Sequence, residues 1–321
     1  MIKRIFYVIM IAIVMVACGD EPSKGSEEKP GEGGTEENPK FQAVKVLEYN
    51  PAPGQFVNEL PEYEVGNTNA DMLHKVELSL NNNTLITLGS LGGSITMKLV
   101  KPIKNAIGKY DFRIVGNSFY GVGSTDENKK GSAEPGIIYV MQDVNGNGKA
   151  DDSWYEIRGS VSFDKTSITQ ITYLRPTMEE VGTITDGYIT NPQYIKWNTT
   201  SPSETGFLMK ITEHEQSYYP AWLTNKENSI TMNNVRRLPN NGFYNADIGQ
   251  YQLSCFDYGY ADNHPNNVDG SKIKIDWAVD ANGNSVTLSQ IDFIKVVSSL
   301  LQFNGLLGES STEIAGVESF N

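Results

Sequence analysis

The part of the chain with the clearest capacity for chemistry is a glycine-rich run in which nearly every second residue carries a side-chain oxygen. Alternate residues of a tight loop can turn their oxygens toward one point, and a hard cation such as Ca²⁺ collects six to eight oxygen ligands. The spacing matches that of a calcium loop, including its central glycine. The sequence therefore predicts a structural calcium site. Its ligands are assigned to Asp143, Asn145, Asn147, Lys149 through its carbonyl, Asp151, Asp152 and Glu156.

The last position of this loop departs from the calcium pattern. Trp154 stands where a calcium loop carries a bidentate glutamate. Asp152 or Glu156 could compensate, the second by returning from the next strand. The alternative is a hairpin loop without a metal, in which Asn-Gly pairs supply the positive φ angles of a tight turn. Both interpretations stay open on the sequence alone.

A second loop concentrates aromatic rings, amides and one histidine within a few residues. Flat rings suit the faces of sugars, and amide or carboxylate groups suit hydroxyls or the amide fringe of a macrocycle. We therefore expect ligand contacts here, although a lone loop histidine is more often structural than a ligand of a metal or of a corrinoid cobalt. The predicted ligand-binding residues are Tyr258, Tyr260, Asp262, Asn263 and His264.

The chain lacks the residue patterns of the common enzyme classes. It contains no Gly-x-Ser-x-Gly elbow, no His-Glu-x-x-His, no Walker loop and no dinucleotide fingerprint. Glu213 and Glu215 flank His214, but alternation along a strand would put both acids on the face opposite the histidine. We therefore predict that the protein is not an enzyme. A glycoside hydrolase is the alternative, because folding could bring two carboxylates to the required separation.

The charge of the chain excludes one class of partner. Lys and Arg number 26 against 39 Asp and Glu, which gives a formal net charge of −13. Proteins that bind a phosphate backbone need cationic grooves that release counterions. No nucleic-acid partner is therefore expected.

The N-terminus is typical of a lipoprotein export signal. Lys3 and Arg4 precede an apolar run that is too short to span a bilayer of roughly 30 Å but fits the core of a signal peptide. The run ends at Cys18, in a sequence that resembles the lipobox of bacterial lipoproteins, where the cysteine is diacylated. We predict a signal peptide at residues 1–17 and a lipid anchor at Cys18. An ordinary signal peptide followed by a chance cysteine is the alternative.

A polar segment begins at the cysteine. Residues 18–40 carry almost no apolar side chains, so burial cannot offset the entropy of ordering them, and we expect a disordered acidic tether. Asp20 and Glu21 resemble the acidic export signal of Bacteroidetes lipoproteins. The predicted location is the outer membrane, with the protein anchored by lipid and facing the cell exterior. Acids that only keep the tether soluble would leave the leaflet undecided.

The remaining residues, 41–321, have the pattern of a β-rich domain. Short apolar or alternating runs are separated by Gly, Asn, Asp and Pro, and no repeat of fixed period is visible. One short helix is predicted at residues 69–80, where apolar residues recur on one face. We expect an all-β, antiparallel jelly-roll β-sandwich with an insertion near 177–250. Two sandwiches that meet near residue 177 are the alternative.

Several blocks distributed over this body carry a resemblance to a known family. The blocks are Ile86-Thr-Leu-Gly-Ser-Leu-Gly92-Gly93, Tyr110-Asp-Phe-Arg-Ile, Gly116-Asn-Ser-Phe119, Glu134-Pro-Gly136, Trp154-Tyr-Glu-Ile-Arg-Gly159, Gly259-Tyr-Ala-Asp-Asn263 and Ile291-Asp-Phe-Ile-Lys-Val296. They resemble a family of Bacteroidetes "cell surface protein" lipoproteins over nearly all of residues 44–317. The resemblance implies a jelly-roll sandwich of the galactose-binding-like kind, but its blocks are not specific for an activity.

The resemblance also implies a role in nutrient uptake at the outer membrane. Such lipoproteins are associated with uptake loci, including those for corrinoids such as vitamin B12. We therefore expect a surface lipoprotein that binds a nutrient, either a corrinoid or a glycan, or that docks on a TonB-dependent outer-membrane uptake complex. A purely structural accessory subunit of a transporter is the remaining alternative to a binding protein.

Overall fold

Strands are the main regular secondary structure of the chain that the computed structural model describes, which comprises residues 39–125, 127–162, 168–177, 185–223 and 228–321. The predicted signal peptide, the predicted lipidated cysteine and almost all of the predicted tether lie outside these residues. Within them there are twenty strands and one α-helix. The helix is α1 (Asn69–Asn81), and the strands are β1 (Lys40–Gln42), β2 (Val44–Asn50), β3 (Ile86–Thr87), β4 (Ser94–Lys104), β5 (Phe112–Val115), β6 (Phe119–Tyr120), β7 (Lys130–Ser132), β8 (Gly136–Met141), β9 (Tyr155–Ile157), β10 (Ile168–Leu174), β11 (Ile189–Thr199), β12 (Thr205–Ile211), β13 (Ser229–Arg236), β14 (Gly242–Asn245), β15 (Gln250–Ser254), β16 (Tyr260–Ala261), β17 (Ala278–Val279), β18 (Gln290–Ser298), β19 (Glu313–Ile314) and β20 (Gly316–Ser319).

The largest layer is a seven-stranded antiparallel sheet in the order β17-β9-β8-β18-β4-β2, with β16 also paired to β8. Successive side chains of a strand point to opposite faces. Ile294 and Val296 of β18 therefore enter the main hydrophobic core, whereas Lys295 and Val297 project from the other face. The inner face of the sheet is covered, and the outer face is the surface on which a site can be built.

The inner face packs against a second layer, and the two form a sandwich. The second layer contains the three-stranded sheet β1-β20-β5 and the short pair β19-β3. Ile114 of β5, Ile314 of β19 and Val317 of β20 are buried in one core with residues of the large sheet. The predicted all-β antiparallel sandwich is thereby confirmed. Its jelly-roll connectivity stays a prediction.

Helix α1 lies beside this core. It begins at a capping box, in which the Thr68 side chain accepts a hydrogen bond from the Asp71 N–H and the Asp71 carboxylate accepts one from the Thr68 N–H. Met72, Val76 and Leu80 recur every four residues and are fully buried. The helix therefore lies where the sequence predicts it and ends one residue later. In the described part of the chain, no helix is long and apolar enough to cross a membrane.

Strands β10 to β13 form a separate four-stranded antiparallel sheet in the order β12-β11-β10-β13. Its aromatic core includes Tyr173 and Tyr218, and Leu91 from the sandwich is buried in the same cluster. A further four-stranded sheet has the order β14-β15-β7-β6. All described residues belong to one compact unit that spans Glu37–Asn321. The insertion near 177–250 stays a prediction.

The sandwich core predicts a large loss of stability on truncation of Ile294, which is fully buried at the centre of β18. We expect Ile294→Ala to lower the free energy of unfolding by about 2–5 kcal/mol, because the substitution removes buried methylene groups and leaves a cavity. The measurement is urea unfolding followed by intrinsic fluorescence. Ile107→Ala is the matched control, since Ile107 is 83% exposed. Equal midpoints for the two variants would contradict the assignment of Ile294 to the core.

Candidate functional site

A large groove lies between the outer face of the seven-stranded sheet and β13, the edge strand of the four-stranded sheet. Its volume is about 1160 Å³. The sheet forms the floor, β13 forms one wall, and residues near the start of α1 also contribute to the lining. We define the groove by the lining residues Glu48, Tyr49, Asn50, Asn69, Ser94, Tyr139, Trp154, Trp222, Lys295, Val297 and residues 229–235.

The strand register places a row of polar side chains across the floor. Tyr139 of β8 pairs with Lys295 of β18, and Lys295 pairs in turn with Thr96 of β4. The row continues to Glu48 of β2 at one end and to Glu156 of β9 at the other. Residues paired directly across antiparallel strands project from the same face. Side chains from five strands, of which only β8 and β9 are consecutive in the sequence, therefore lie next to one another.

An aromatic ring and a cation meet on this floor. The Nζ of Lys295 lies 5.1 Å from the centroid of the Trp154 ring, a distance at which an ammonium group is attracted to the face of an indole. Both side chains are half-buried. Farther along the row, the Thr96 hydroxyl donates a hydrogen bond to Glu48 Oε2 at 3.3 Å. The floor thus offers an aromatic surface, an ammonium group and a carboxylate.

A buried ion pair fixes the wall to the floor. Arg236 at the end of β13 is 3% exposed and forms an ion pair with Glu156 of β9, and it also donates hydrogen bonds to the carbonyls of Val161 and Ser162 at 3.0 and 3.1 Å. Burial raises the pKa of Glu156, and the Arg236 charge and a hydrogen bond with Tyr139 oppose that rise. This pair holds the last residue of the wall against the end of the polar row.

The wall carries uncharged polar groups. The side chain of Asn233 accepts a hydrogen bond from Gln170 Nε2 at 2.6 Å, and Thr231 shares a hydrogen bond of 2.9 Å with Thr172. Asn234 has a φ of 55°, in the left-handed region that asparagine tolerates better than most residues. The side chains of Thr231, Asn233 and Asn234 are exposed. Thr231 and Asn233 therefore line the groove from the exposed face of β13, whereas Ile230 and Met232 on its other face pack in one core with Val297 of the floor.

The predicted calcium loop forms a hairpin that is closed by its own hydrogen bonds. The Asp143 carboxylate accepts from the backbone N–H groups of Asn147 and Gly148 at 3.1 and 2.8 Å. The Asp151 carboxylate accepts from the side-chain amides of Asn145 and Asn147. These hydrogen bonds, chiefly that of Asn147, hold the pKa of Asp151 below its usual value. The loop therefore draws together several of the oxygens that the sequence assigns to calcium.

The other predicted calcium ligands divide into two groups. Asp152 belongs to the loop, because its carboxylate accepts a hydrogen bond from the Val144 N–H at 3.0 Å. Lys149 also lies in the loop and donates its N–H to a loop side chain at 2.8 Å. Glu156 stands apart, since it lies in β9 and pairs with Arg236. The calcium site stays a prediction, and Glu156 forms an ion pair with Arg236.

The predicted ligand loop is mostly part of the protein interior. Tyr260, Asp262, Asn263 and His264 are 2%, 4%, 1% and 4% exposed, whereas Tyr258 is 37% exposed. The ring centroid of Tyr258 lies 4.9 Å from that of a tryptophan, Trp277. Of the predicted residues in this loop, Tyr258 is thus the one that solvent reaches.

The buried polar groups of this loop already have partners in the protein. His264 Nδ1 lies 2.9 Å from the Tyr120 hydroxyl, and its Nε2 lies 3.1 Å from the Asp257 carbonyl oxygen. Burial lowers the pKa of His264, which favours the neutral ring. Asn263 exchanges two hydrogen bonds with the backbone of Phe256. The ligand-binding role of these residues stays a prediction, but both nitrogens of the His264 ring are already occupied.

Asp262 belongs to a buried cluster of carboxyl groups that local spacing does not reveal. Glu134, Asp262 and Glu313 place carboxylate oxygens within 4.8 Å of one another, and among the described residues no other three His, Cys, Asp or Glu residues meet this criterion. Asp262 accepts hydrogen bonds from the N–H and hydroxyl of Ser118 at 3.0 and 2.7 Å. Glu313 accepts one from the Thr87 hydroxyl at 2.9 Å. Oxygens separated by no more than 4.8 Å can bind one Ca²⁺ ion, because Ca–O distances are roughly 2.3–2.6 Å.

This carboxyl cluster has no Lys or Arg ion-pair partner among the described residues. Burial raises the pKa of Glu134, Asp262 and Glu313, and the charges of neighbouring acids raise the pKa of the two glutamates further. Glu309, which is also buried, has its pKa raised by burial to about 7. The cluster can therefore hold protons near neutral pH, or a divalent cation whose charge replaces them.

Sequence reasoning did not find the groove. Trp154 interrupts the calcium pattern and, like Lys295, lies in one of the blocks that resemble the lipoprotein family, but neither residue stands out as part of a binding site. The local signal that could have found Lys295 is a charged residue within the otherwise apolar run from Phe293 to Val297. Nothing in the sequence pairs that position with Tyr139, because the two meet only through strand register.

The buried acids predict that stability falls as pH rises. A carboxyl group whose pKa is raised on folding stabilises the fold fully below its unfolded pKa of about 4.3, and this contribution is lost as pH rises through the folded pKa. With chelator present, we expect the free energy of unfolding to fall between pH 5 and pH 8.5. Glu309→Gln should reduce this fall by about 2 kcal/mol, because its folded pKa is about 7.

Urea unfolding at the two pH values measures this effect. Glu215→Gln is the control, since Glu215 is exposed and should leave the pH dependence unchanged. A wild-type protein whose unfolding free energy rises between the two pH values, with Glu309→Gln matching it, would refute a raised pKa at Glu309.

The loop at Asp151 predicts calcium-dependent stability. We expect added Ca²⁺ to raise the melting temperature of the chelator-treated protein, because a ligand that binds only the folded state stabilises it. Asp151→Asn should abolish the rise. Asp280→Asn is the matched control, because Asp280 closes a similar loop by accepting hydrogen bonds from the N–H groups of Asn282 and Asn284 at 2.8 and 2.9 Å. A rise that survives Asp151→Asn but disappears in Glu313→Gln would move the calcium site to the carboxyl cluster.

Comparison with known proteins does not assign the chain to a family. No protein-family model matches it, and no curated protein matches it either.

Proposed function

We propose that the protein is a lipid-anchored surface protein that binds a glycan nutrient in the groove. The single observation that carries the proposal is a groove of about 1160 Å³ with an aromatic and charged floor and an amide-bearing wall. A site of this size is at or above the upper end of the range for small-molecule pockets. An oligosaccharide is the nutrient that would make use of the length of such a groove.

The side chains of the groove match the two surfaces of a sugar. The C–H face of a sugar ring packs on aromatic rings, and Trp154 and Tyr139 supply such rings on the floor. Hydroxyl groups of a sugar both donate and accept hydrogen bonds, and Asn233 and Asn234 offer amides that do the same. Aromatic rings and amide groups are therefore both available to one ligand in the groove.

Binding is favoured over hydrolysis by the acids present. Glycoside hydrolysis uses two carboxyl groups about 5–9.5 Å apart across the scissile bond. Among the described residues that line the groove, Glu48 is the one acid. Glu156, at the other end of the floor row, is committed to Arg236. The acids of the groove therefore favour glycan binding over glycoside hydrolysis, and no catalytic role is proposed.

A glycan is also favoured over the corrinoid. A histidine that ligates the cobalt of a corrinoid needs a free ring nitrogen, and both nitrogens of His264 already have protein partners. His264 also does not belong to the groove lining. Cyanocobalamin is therefore a comparison arm of the binding experiment, and the glycan is the ligand proposed.

The predicted lipid anchor would locate this binding activity at the outer membrane. A chain anchored at Cys18 and extended by an acidic tether would hold the groove outside the outer membrane, where glycans arrive. Docking on a TonB-dependent uptake complex would then pass the ligand to a transporter. The acidic composition of the chain supports the absence of a nucleic-acid partner from this scheme.

The proposal predicts glycan binding that depends on Trp154. We expect isothermal titration of the full-length chain in detergent to detect binding to members of a glycan panel and none to cyanocobalamin. Trp154→Ala should weaken the glycan affinity about tenfold or more, because loss of an aromatic contact in a binding site commonly costs above 1 kcal/mol.

Tyr244→Ala is the control for this experiment. Tyr244 is 58% exposed and lies in β14, outside the groove. Its substitution should leave glycan affinity unchanged. Heat with cyanocobalamin alone, or glycan binding that Trp154→Ala does not alter, would overturn the assignment of the groove to glycans.

A further inference from the structure

We propose that the groove selects acidic oligosaccharides, with a sugar carboxylate bound to the ammonium group of Lys295. This inference rests on the proposed function, because it names the class of glycan that the same groove takes. It is based on the position of Lys295 in the groove and on the absence of an Asp or Glu partner for this lysine among the described residues.

Lys295 is the one cationic side chain among the described residues that line the groove. It lies on the central strand β18, paired with Tyr139 on one side and Thr96 on the other. Its position in the middle of the polar row places it beneath a ligand that runs along the floor. A cation at this point contacts the ligand itself and not only the solvent at the rim.

The ammonium group of Lys295 has no anionic partner within the part of the chain that the structure describes. No Asp or Glu oxygen lies within 4.0 Å of its Nζ. Its recorded contact is the face of the Trp154 ring, at 5.1 Å. A ring quadrupole attracts a cation but accepts no strong hydrogen bond, so the three N–H donors of the ammonium group stay available.

A second lysine on the same face of the sheet, Lys98, has an ammonium group with a hydrogen-bond acceptor in the protein. Lys98 of β4 also lies over an aromatic ring, that of Phe293, at 5.7 Å. Its Nζ additionally donates a hydrogen bond to the Gly148 carbonyl at 2.9 Å. The two lysines therefore differ in one respect: Lys98 has an acceptor within the protein, and Lys295 has none in the described structure.

Glu48, the other charged residue in the described lining of the groove, sets the orientation that we expect for the ligand. Glu48 stands two strands from Lys295 along the row, beyond Thr96. It repels an anionic group at its own end of the floor and accepts hydrogen bonds from sugar hydroxyls instead. A carboxylate is thus favoured at the Lys295 end, where Trp154 can pack against the ring that carries it. The charge-assisted hydrogen bond formed there is stronger than one between neutral groups.

The test uses matched pairs of acidic and neutral probes. Oligomers of galacturonate, of alginate and of hyaluronan are each compared with their carboxyl-reduced forms, which keep the same linkages without the negative charge. We expect the full-length protein in detergent to bind at least one acidic oligomer about tenfold or more tightly than its reduced form. This preference should decline as ionic strength rises, because salt screens the pair of charges.

Variants at the two lysines separate the role of Lys295 from that of the fold. Lys295→Gln should remove the preference, so that the acidic oligomer and its reduced form bind the variant with nearly equal affinity. Lys295→Arg should retain the preference, because a guanidinium group also pairs with a carboxylate. Lys98→Gln, the matched control, should behave as wild type. Circular dichroism and melting temperature confirm that each variant is folded.

The outcomes distinguish this inference from the proposed function. Equal affinity of the wild-type protein for acidic and reduced oligomers would overturn the selection of acidic glycans and leave glycan binding in place. A Lys295→Gln variant that loses both affinities equally would show that Lys295 positions Trp154 and does not bind a carboxylate, which also overturns the inference. If neither these probes nor any neutral glycan binds the wild-type protein, both proposals fail.

Discussion

The ion pair between Glu156 and Arg236 is the contact on which the groove depends. Burying either charge alone is costly, so each stabilises a structure in which the other lies beside it. Glu156 lies in β9 of the seven-stranded sheet, and Arg236 is the last residue of β13. Their pairing brings the edge of one sheet over the outer face of the other. A pair of nonpolar residues could have held the sheets together as firmly, whereas the ion pair requires two charged groups to meet and so favours one register of the wall against the floor.

The register within the large sheet then decides what the floor presents. Because β18 is central, residue 295 has neighbours on both sides, and a shift of one residue would turn Lys295 into the core and Ile294 into the groove. The fully buried Ile294 and Val296 prevent such a shift, since their side chains fill the sandwich core. Core packing on one face of the strand thus holds the chemical groups of the other face in place.

This division explains how far the sequence alone could lead. The period-two runs and the apolar face of Met72, Val76 and Leu80 report on local structure, and they were sufficient for the all-β class and for helix α1. The groove is built from pairings between positions as distant as 139 and 295, and the carboxyl cluster from positions 134, 262 and 313. Residue type alone was a poor guide to exposure: the polar loop that includes Asn263 and His264 is interior, because its side chains hydrogen-bond to backbone and to neighbours. Burial is decided by the whole fold, so a local pattern cannot report it.

If an acidic protein is to bind an acidic glycan, the attraction from charges in the binding groove must exceed the repulsion from the net negative charge of the protein. The chain carries a formal net charge of −13, which would repel an anionic ligand if every charge acted at full range. At physiological ionic strength the Debye length is about 8 Å, so charges on distant surfaces are largely screened. Lys295, which is half-buried, and Glu48, which is exposed, both line the groove and are within reach of a bound ligand. The few charges inside the groove therefore determine selectivity, whereas the acidic exterior keeps the protein soluble and discourages anionic polymers from binding elsewhere.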